Sequence, residues 1–303
     1  MFINRPCRLP VFGLFFLWLF LDGVVSAQES EKKISDTALR VPGIFNSVLP
    51  GTEEKNKLKF ILHPHLGDIS KRDYIRTDVG LSYGLSEQWD VMTKTRFYFG
   101  HGLKDASFGS DLGLADYEIE TKYRIGEFLL PDWESAISLA YASPIGTPEP
   151  AVTDGLVHRA LTLSYARPLE LHPNVRIFWG LTTDIIGQTD VIGRLDDNDL
   201  RDSNQKFSGG FVYTQGTTNY TFEAGYSTTR IWGSTREDVY SIRPGIVFRV
   251  PPRYTLGSEG EWIFGAAIPV SYGPDGIDVG VAVKLRLDFD FKRMIRGEKK
   301  SSN

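Results

Sequence analysis

The chain has 303 residues, 41% of them hydrophobic and 24% charged, with a formal net charge of −4 and a single cysteine. This length suits one large domain, and the acidic balance argues against a nucleic-acid partner, which favours a basic surface. One cysteine rules out a disulfide framework or a cysteine-rich zinc site within the chain.

Arg5 and Arg8 precede an apolar run from Leu9 to Leu21, followed by Val25, Ser26, Ala27 and polar Gln28. A basic start, an apolar core and small residues before a polar one predict a secretory signal peptide over 1–27, cut after Ala27. The run is too short to span a bilayer as a helix, which needs about 20 residues. Cys7 leaves with the signal. The signal also carries two Arg and one Asp, so the mature chain has 32 basic against 37 acidic side chains, a net −5. Residues 28–56 are polar and interrupted by Pro42, Gly43, Pro50 and Gly51. They are expected to form an N-terminal periplasmic arm, with insertion into a barrel as the alternative.

From Lys57 the sequence alternates with a period of two, which places successive side chains on opposite faces of a strand. Leu58, Phe60 and Leu62 oppose Lys57 and Lys59, and Ile75, Val79, Leu81 and Tyr83 oppose Arg76, Asp78, Gly80 and Ser82. Trp89, Val91, Phe97 and Phe99 oppose Asp90, Lys94 and Arg96. Tyr117, Ile119, Tyr123 and Ile125 oppose Glu118, Glu120, Lys122 and Arg124. Further strands are predicted near 135–143, 158–167, 174–186, 205–214, 218–229, 239–250 and 260–270. The last, 277–291, alternates without a break: Val279, Val281, Val283, Leu285, Leu287, Phe289 and Phe291 against Lys284, Arg286 and Asp288, among others.

Such strands fit either a soluble sandwich or a membrane barrel. Two further patterns favour the barrel. Short turns near 85–88, 126–133, 168–173, 215–217 and 251–258 alternate with connections that include the longest, most polar ones, as in an outer-membrane barrel with both termini in the periplasm. Aromatic residues on the apolar face, among them Tyr83, Trp89, Tyr123, Tyr165, Tyr213, Tyr220 and Trp262, cluster toward the turn ends of strands. A girdle at the headgroup level requires that placement. The expected fold is all-β: an antiparallel transmembrane barrel of about twelve strands over 57–291, followed by a basic periplasmic tail, 292–303. Outer-membrane lipid and the barrel assembly machinery are the partners this fold implies.

Residues 108–125, FGSDLGLADYEIETKYRI, resemble the glycine-rich strand ending in Lys-Tyr-Arg of the outer-membrane family named after the MetA pathway of phenol degradation. GLSYGLSEQWDV (80–91) is similar to that family's Tyr-Gly-Leu hairpin, and Ser143 to Thr147 to its Pro-Thr-Gly loop. Ala115 stands where the family tends to have Gly. The resemblance covers mainly 57–187. It implies an outer-membrane barrel admitting hydrophobic or aromatic compounds, and it transfers no catalytic residue.

His63 and His65 share one face of the first strand and could share a metal, but no third ligand is placed by sequence and Pro64 suggests a bulge or strand end. No metal and no cofactor are therefore expected. A barrel hydrolase needs a Ser-His pair with an orienting group, and no recognisable spacing supplies one, so no enzyme is expected. The polar face carries the candidate lumen residues: Arg76, Lys94, Arg96, Glu118, Glu120, Lys122, Arg124, Lys284 and Arg286. Opposite charges at matching parity on adjacent strands predict cross-strand pairs. Lys284 and Arg286 are expected to lie near Lys57 and Lys59 if the barrel closes. The function expected is passive passage of small, hydrophobic or aromatic solutes. A non-transporting binding or scaffold barrel is the alternative, with an outer-membrane lipid hydrolase behind it.

Overall fold

The computed structural model describes residues 49–66, 74–100, 112–145, 155–187, 201–231, 236–251, 254–255, 260–274 and 276–290. The expected signal, most of the expected arm, Phe291 and the tail lie outside them. The alternating stretches form antiparallel strands: β1 (Lys57–Pro64), β2 (Tyr74–Gly84), β3 (Trp89–Gly100), β4 (Leu112–Glu127) and β5 (Glu134–Pro144). There follow β6 (Val157–Leu169), β7 (His172–Gly187), β8 (Arg201–Gln215), β9 (Thr218–Ile231) and β10 (Arg236–Arg249).

Four shorter segments complete the wall: β11 (Glu261–Ala267), β12 (Val270–Gly273), β13 (Gly276–Val279) and β14 (Ala282–Asp290). β11 and β12 both pair with β10 and are halves of one barrel strand. β13 and β14 return beside them as halves of another. The register of β14 on β1, from Lys57↔Asp290 to Leu62↔Leu285, closes the sheet. Twelve strands thus make up the barrel.

The double break is a departure from the unbroken last strands predicted by alternation. Pro269 has no N–H to give to a ladder. Instead Ile268 N–H donates to the Pro244 carbonyl at 3.0 Å, and Gly280 N–H donates to the Pro269 carbonyl at 2.9 Å. Two bulges also shift parity. Arg96 faces Asp116 but Phe97 faces Leu114, so Ala115 is the extra residue, buried in a cluster with Tyr74 and packed with Tyr98. Arg124 faces Ala136 while Gly126 faces Ser135, and Gly126 takes a φ of 88°, open to glycine without strain.

The outer face is apolar all round. Ile119, Leu139, Leu161, Leu181 and Ile185 are each 46–58% exposed, far more than water tolerates in one contiguous belt. Aromatic rings mark its turn end: Tyr165 and Trp179 stack with centroids 4.4 Å apart, and Trp133 meets Trp179 edge-on at 6.4 Å. At that end Glu170 and Leu171 alone link β6 to β7, and Gly216 and Thr217 alone link β8 to β9. The architecture is a closed antiparallel barrel of the outer-membrane type.

Candidate functional site: the barrel interior

Side chains of opposite parity to the apolar belt point inward, and they carry charge on both sides of the barrel. On one side, β1 to β4 and β14 supply charge. Lys94 Nζ lies 2.7 Å from Glu118 Oε2, its direct partner across the ladder. Arg96 bridges two carboxylates, its Nε 2.8 Å from Asp78 Oδ1 and its Nη1 2.9 Å from Asp116 Oδ2. Lys122 Nζ stands 3.9 Å from Asp90 Oδ2. Arg286 Nε donates to Asp288 Oδ1 at 2.8 Å.

A second charged group lies on β8 to β10, where Arg243 Nη1 is 3.2 Å from Glu223 Oε2 and Lys206 interacts with both, and an apolar cluster lies beside it toward the turn end. Ala166, Phe178, Val212, Val247 and Ala267, from β6, β7, β8, β10 and β11, form one buried cluster. Leu49 completes it, 2% exposed, with Ile263 and Ala282 packed against it. The last residues before β1 therefore lie inside the barrel mouth at the turn end. They are fixed there by polar contacts. Thr52 Oγ1 donates to the Glu87 carbonyl at 3.0 Å, and Glu53 N–H donates to Asp90 Oδ2 at 2.9 Å. The Glu53 carboxylate accepts from Lys59, both side chains being buried. Asn56 N–H donates to the Gly84 carbonyl at 2.8 Å, and a Cβ on Gly84 would collide with the Glu54 carbonyl. Asn56 itself adopts a φ of 64°, a left-handed conformation that Asn tolerates well.

The candidate residues are placed as follows. Lys94 and Glu118 meet, as does Lys122 with Asp90 on the neighbouring strand. Glu120 does not meet Arg96, because antiparallel pairing reverses the order: Glu120 faces Met92, and Ser138 hydrogen-bonds to its carboxylate. Arg96 takes Asp116 instead. Arg76 sits across from Tyr98 near the loop end, and Arg124 across from Ala136 near the turn end. Lys284 lies opposite Gly265, and Arg286 lies between Ile61 and Ile263. Lys57 and Lys59 face Asp290 and Asp288 directly, so acidic partners separate the basic groups of the closing seam.

Sequence reasoning missed three groups that matter. Asp78 lies opposite His63 in the ladder, with Oδ2 3.0 Å from His65 Nε2 and 3.9 Å from His63 Nδ1. Glu53 lies in a polar stretch with no periodicity. The interior apolar cluster was hidden because small and apolar residues at inward positions of β6 to β11 read as ordinary strand filling. The register of β1 on β2 is what sets Asp78 against His63.

No family profile matches the chain, and no curated protein matches it. Among solved structures, an outer membrane channel from Pseudomonas putida F1 is similar at 11% identity and a TM-score of 0.55, covering 82% of this chain and 98% of that one. The KdgM porin is similar at 6% identity and a TM-score of 0.40, over 77% of this chain and 96% of its own. An active-site mutant of outer membrane phospholipase A from Escherichia coli is similar at 12% identity and a TM-score of 0.42, over 84% and 98%.

Proposed function

We propose that the protein is an outer-membrane channel for passive passage of small, hydrophobic or aromatic molecules. The observation that carries this reading is the apolar cluster on the inner wall. General porins have a polar, water-filled lumen, whereas here Phe178, Val212 and Val247, with Leu49 packed on them, form an apolar patch on the inner wall. Apolar walls with a few placed polar groups are the usual lining of sites for apolar ligands. The resemblance of residues 80–91 and 108–125 to a family thought to admit aromatic compounds points the same way. In this reading the turn end and the tail face the periplasm.

The burial of Leu49, Thr52 and Glu53 favours a second reading, a barrel closed by its own arm that binds or scaffolds without conducting. Cells with a lipopolysaccharide outer leaflet, which hydrophobic dyes cross slowly, separate the two. Expression of the assembled barrel should speed uptake of a naphthylamine dye, and Val212→Glu with Val247→Glu should remove the gain. Equal uptake with and without assembled barrel supports the scaffold instead.

A further inference from the structure

We propose that His63, His65 and Asp78 form a binding site for a divalent transition-metal ion of the Zn2+ class on the inner wall of the barrel. His63 and His65 are two apart on β1 and its extension, and Pro64 between them fixes the backbone at its own φ. Both imidazoles therefore fall on the inward face, with ring centroids 4.7 Å apart. The ladder continues past Pro64, because His65 N–H donates to the Arg76 carbonyl at 2.8 Å. That pairing sets Asp78 of β2 against both rings. Its two oxygens have separate duties. Oδ1 takes the Arg96 guanidinium at 2.8 Å, and Oδ2 is turned to the histidines.

One donor atom from each residue lies within 4.8 Å of the other two. A tetrahedral zinc site with ligand bonds of about 2.0–2.1 Å needs its donors roughly 3.4 Å apart. His65 Nε2 to Asp78 Oδ2, at 3.0 Å, is already close to that spacing, and His63 Nδ1, at 3.9 Å from the same oxygen, has to close in on both partners when an ion binds. Two imidazoles and one carboxylate leave a fourth position for water, and they favour Zn2+, Ni2+ or Cu2+ over Mg2+ or Ca2+. Arg96 fixes the carboxylate from behind, the usual task of an outer partner of a metal ligand. His65 is 29% exposed, so an ion reaches it from the lumen. Lys94 and Lys284, interacting with His63 across the interior, oppose added positive charge and hold the affinity down.

The test uses the full mature chain refolded in detergent and stripped with a chelator. Calorimetric titration with Zn2+ should show one equivalent bound. His63→Asn and His65→Asn should each weaken binding by roughly tenfold or more, and His158→Asn should leave it unchanged. Each variant is checked for the gel shift of a folded barrel before and after boiling. As a measurement independent of any variant, Cu2+ bound to the parent protein should give an electron paramagnetic resonance signal with two coupled nitrogens. No binding by the folded parent, a nitrogen count below two, or binding that survives the double His63→Asn, His65→Asn change in a folded barrel overturns the site. The triad is then only a hydrogen-bonded brace for Arg96.

Discussion

At the scale of single residues, the interior is governed by how many partners each charge holds. Arg96 serves Asp78 and Asp116 at once, whereas Lys94 serves Glu118, and the two cations are equally exposed at 27% and 28%. Removing Arg96 takes the shared cation from two carboxylates, of which Asp78 is only 9% exposed, and stranding a buried charge costs about 3–5 kcal/mol. Removing Lys94 affects one carboxylate, Glu118, that is 24% exposed and better screened. Arg96→Met should therefore lower the unfolding midpoint in denaturant well beyond Lys94→Met, and equal midpoints would contradict the bridging role. Gly84 tests a different kind of residue effect. Its missing Cβ makes room for the Glu54 carbonyl, so Gly84→Ala should push the arm out of the mouth while the barrel stays closed. In a Leu49→Cys background, maleimide labelling should be slow while Gly84 is retained and fast once the Gly84→Ala change adds its methyl. The same slow rate in both would show that the arm does not depend on this contact.

At the scale of elements, alternation decides which face meets lipid, and that much was legible in the sequence. The predicted bounds of β2, β3, β5 and β6 fall within two residues of those observed, because their inward and outward positions differ sharply in polarity. The breaks between β11 and β12 and between β13 and β14 were not legible. Val279, Val281 and Val283 keep their period through the interruption, and the cause lies across the sheet at Pro244 and Pro269. The bulge at Ala115 was equally hidden, since a small residue reads the same on either face. Candidate charges were legible as inward, but their partners were not: pairing depends on register, which the bulges and turns set. Adjacent residues on β6 offer a direct check of parity. Leu161 faces outward and is 46% exposed, whereas Ala160 faces inward. Arg at the bilayer midplane costs about 2–4 kcal/mol on the lipid face of a barrel. Leu161→Arg should accordingly reduce the folded, boil-sensitive band in a lipid refolding assay, and Ala160→Arg should leave it near the parent level. Equal loss in both would mean that the face assignment is wrong.

At the scale of the whole molecule, the arm and the wall are separable. Closure runs through residues 57–62 of β1 on β14, so removing residues 29–53 leaves every ladder intact. It takes away Leu49 from the apolar cluster and the Glu53 carboxylate from Lys59. The mouth then widens, and an inward cation loses one of its acidic neighbours while Asp288 remains across the ladder. Charge acts strongly on ions in a narrow, poorly screened passage, because the energy scales inversely with distance and dielectric constant. The truncated barrel should therefore conduct more than the parent in a planar-bilayer recording, and its reversal potential in a salt gradient should move toward anions. Adding Lys59→Met to the truncation should keep the higher conductance and abolish the move, since the widened mouth then lacks the uncovered cation. A truncated barrel that is folded yet conducts no better than the parent would place the barrier elsewhere along the lumen. It would also strengthen the reading of a barrel that scaffolds rather than conducts.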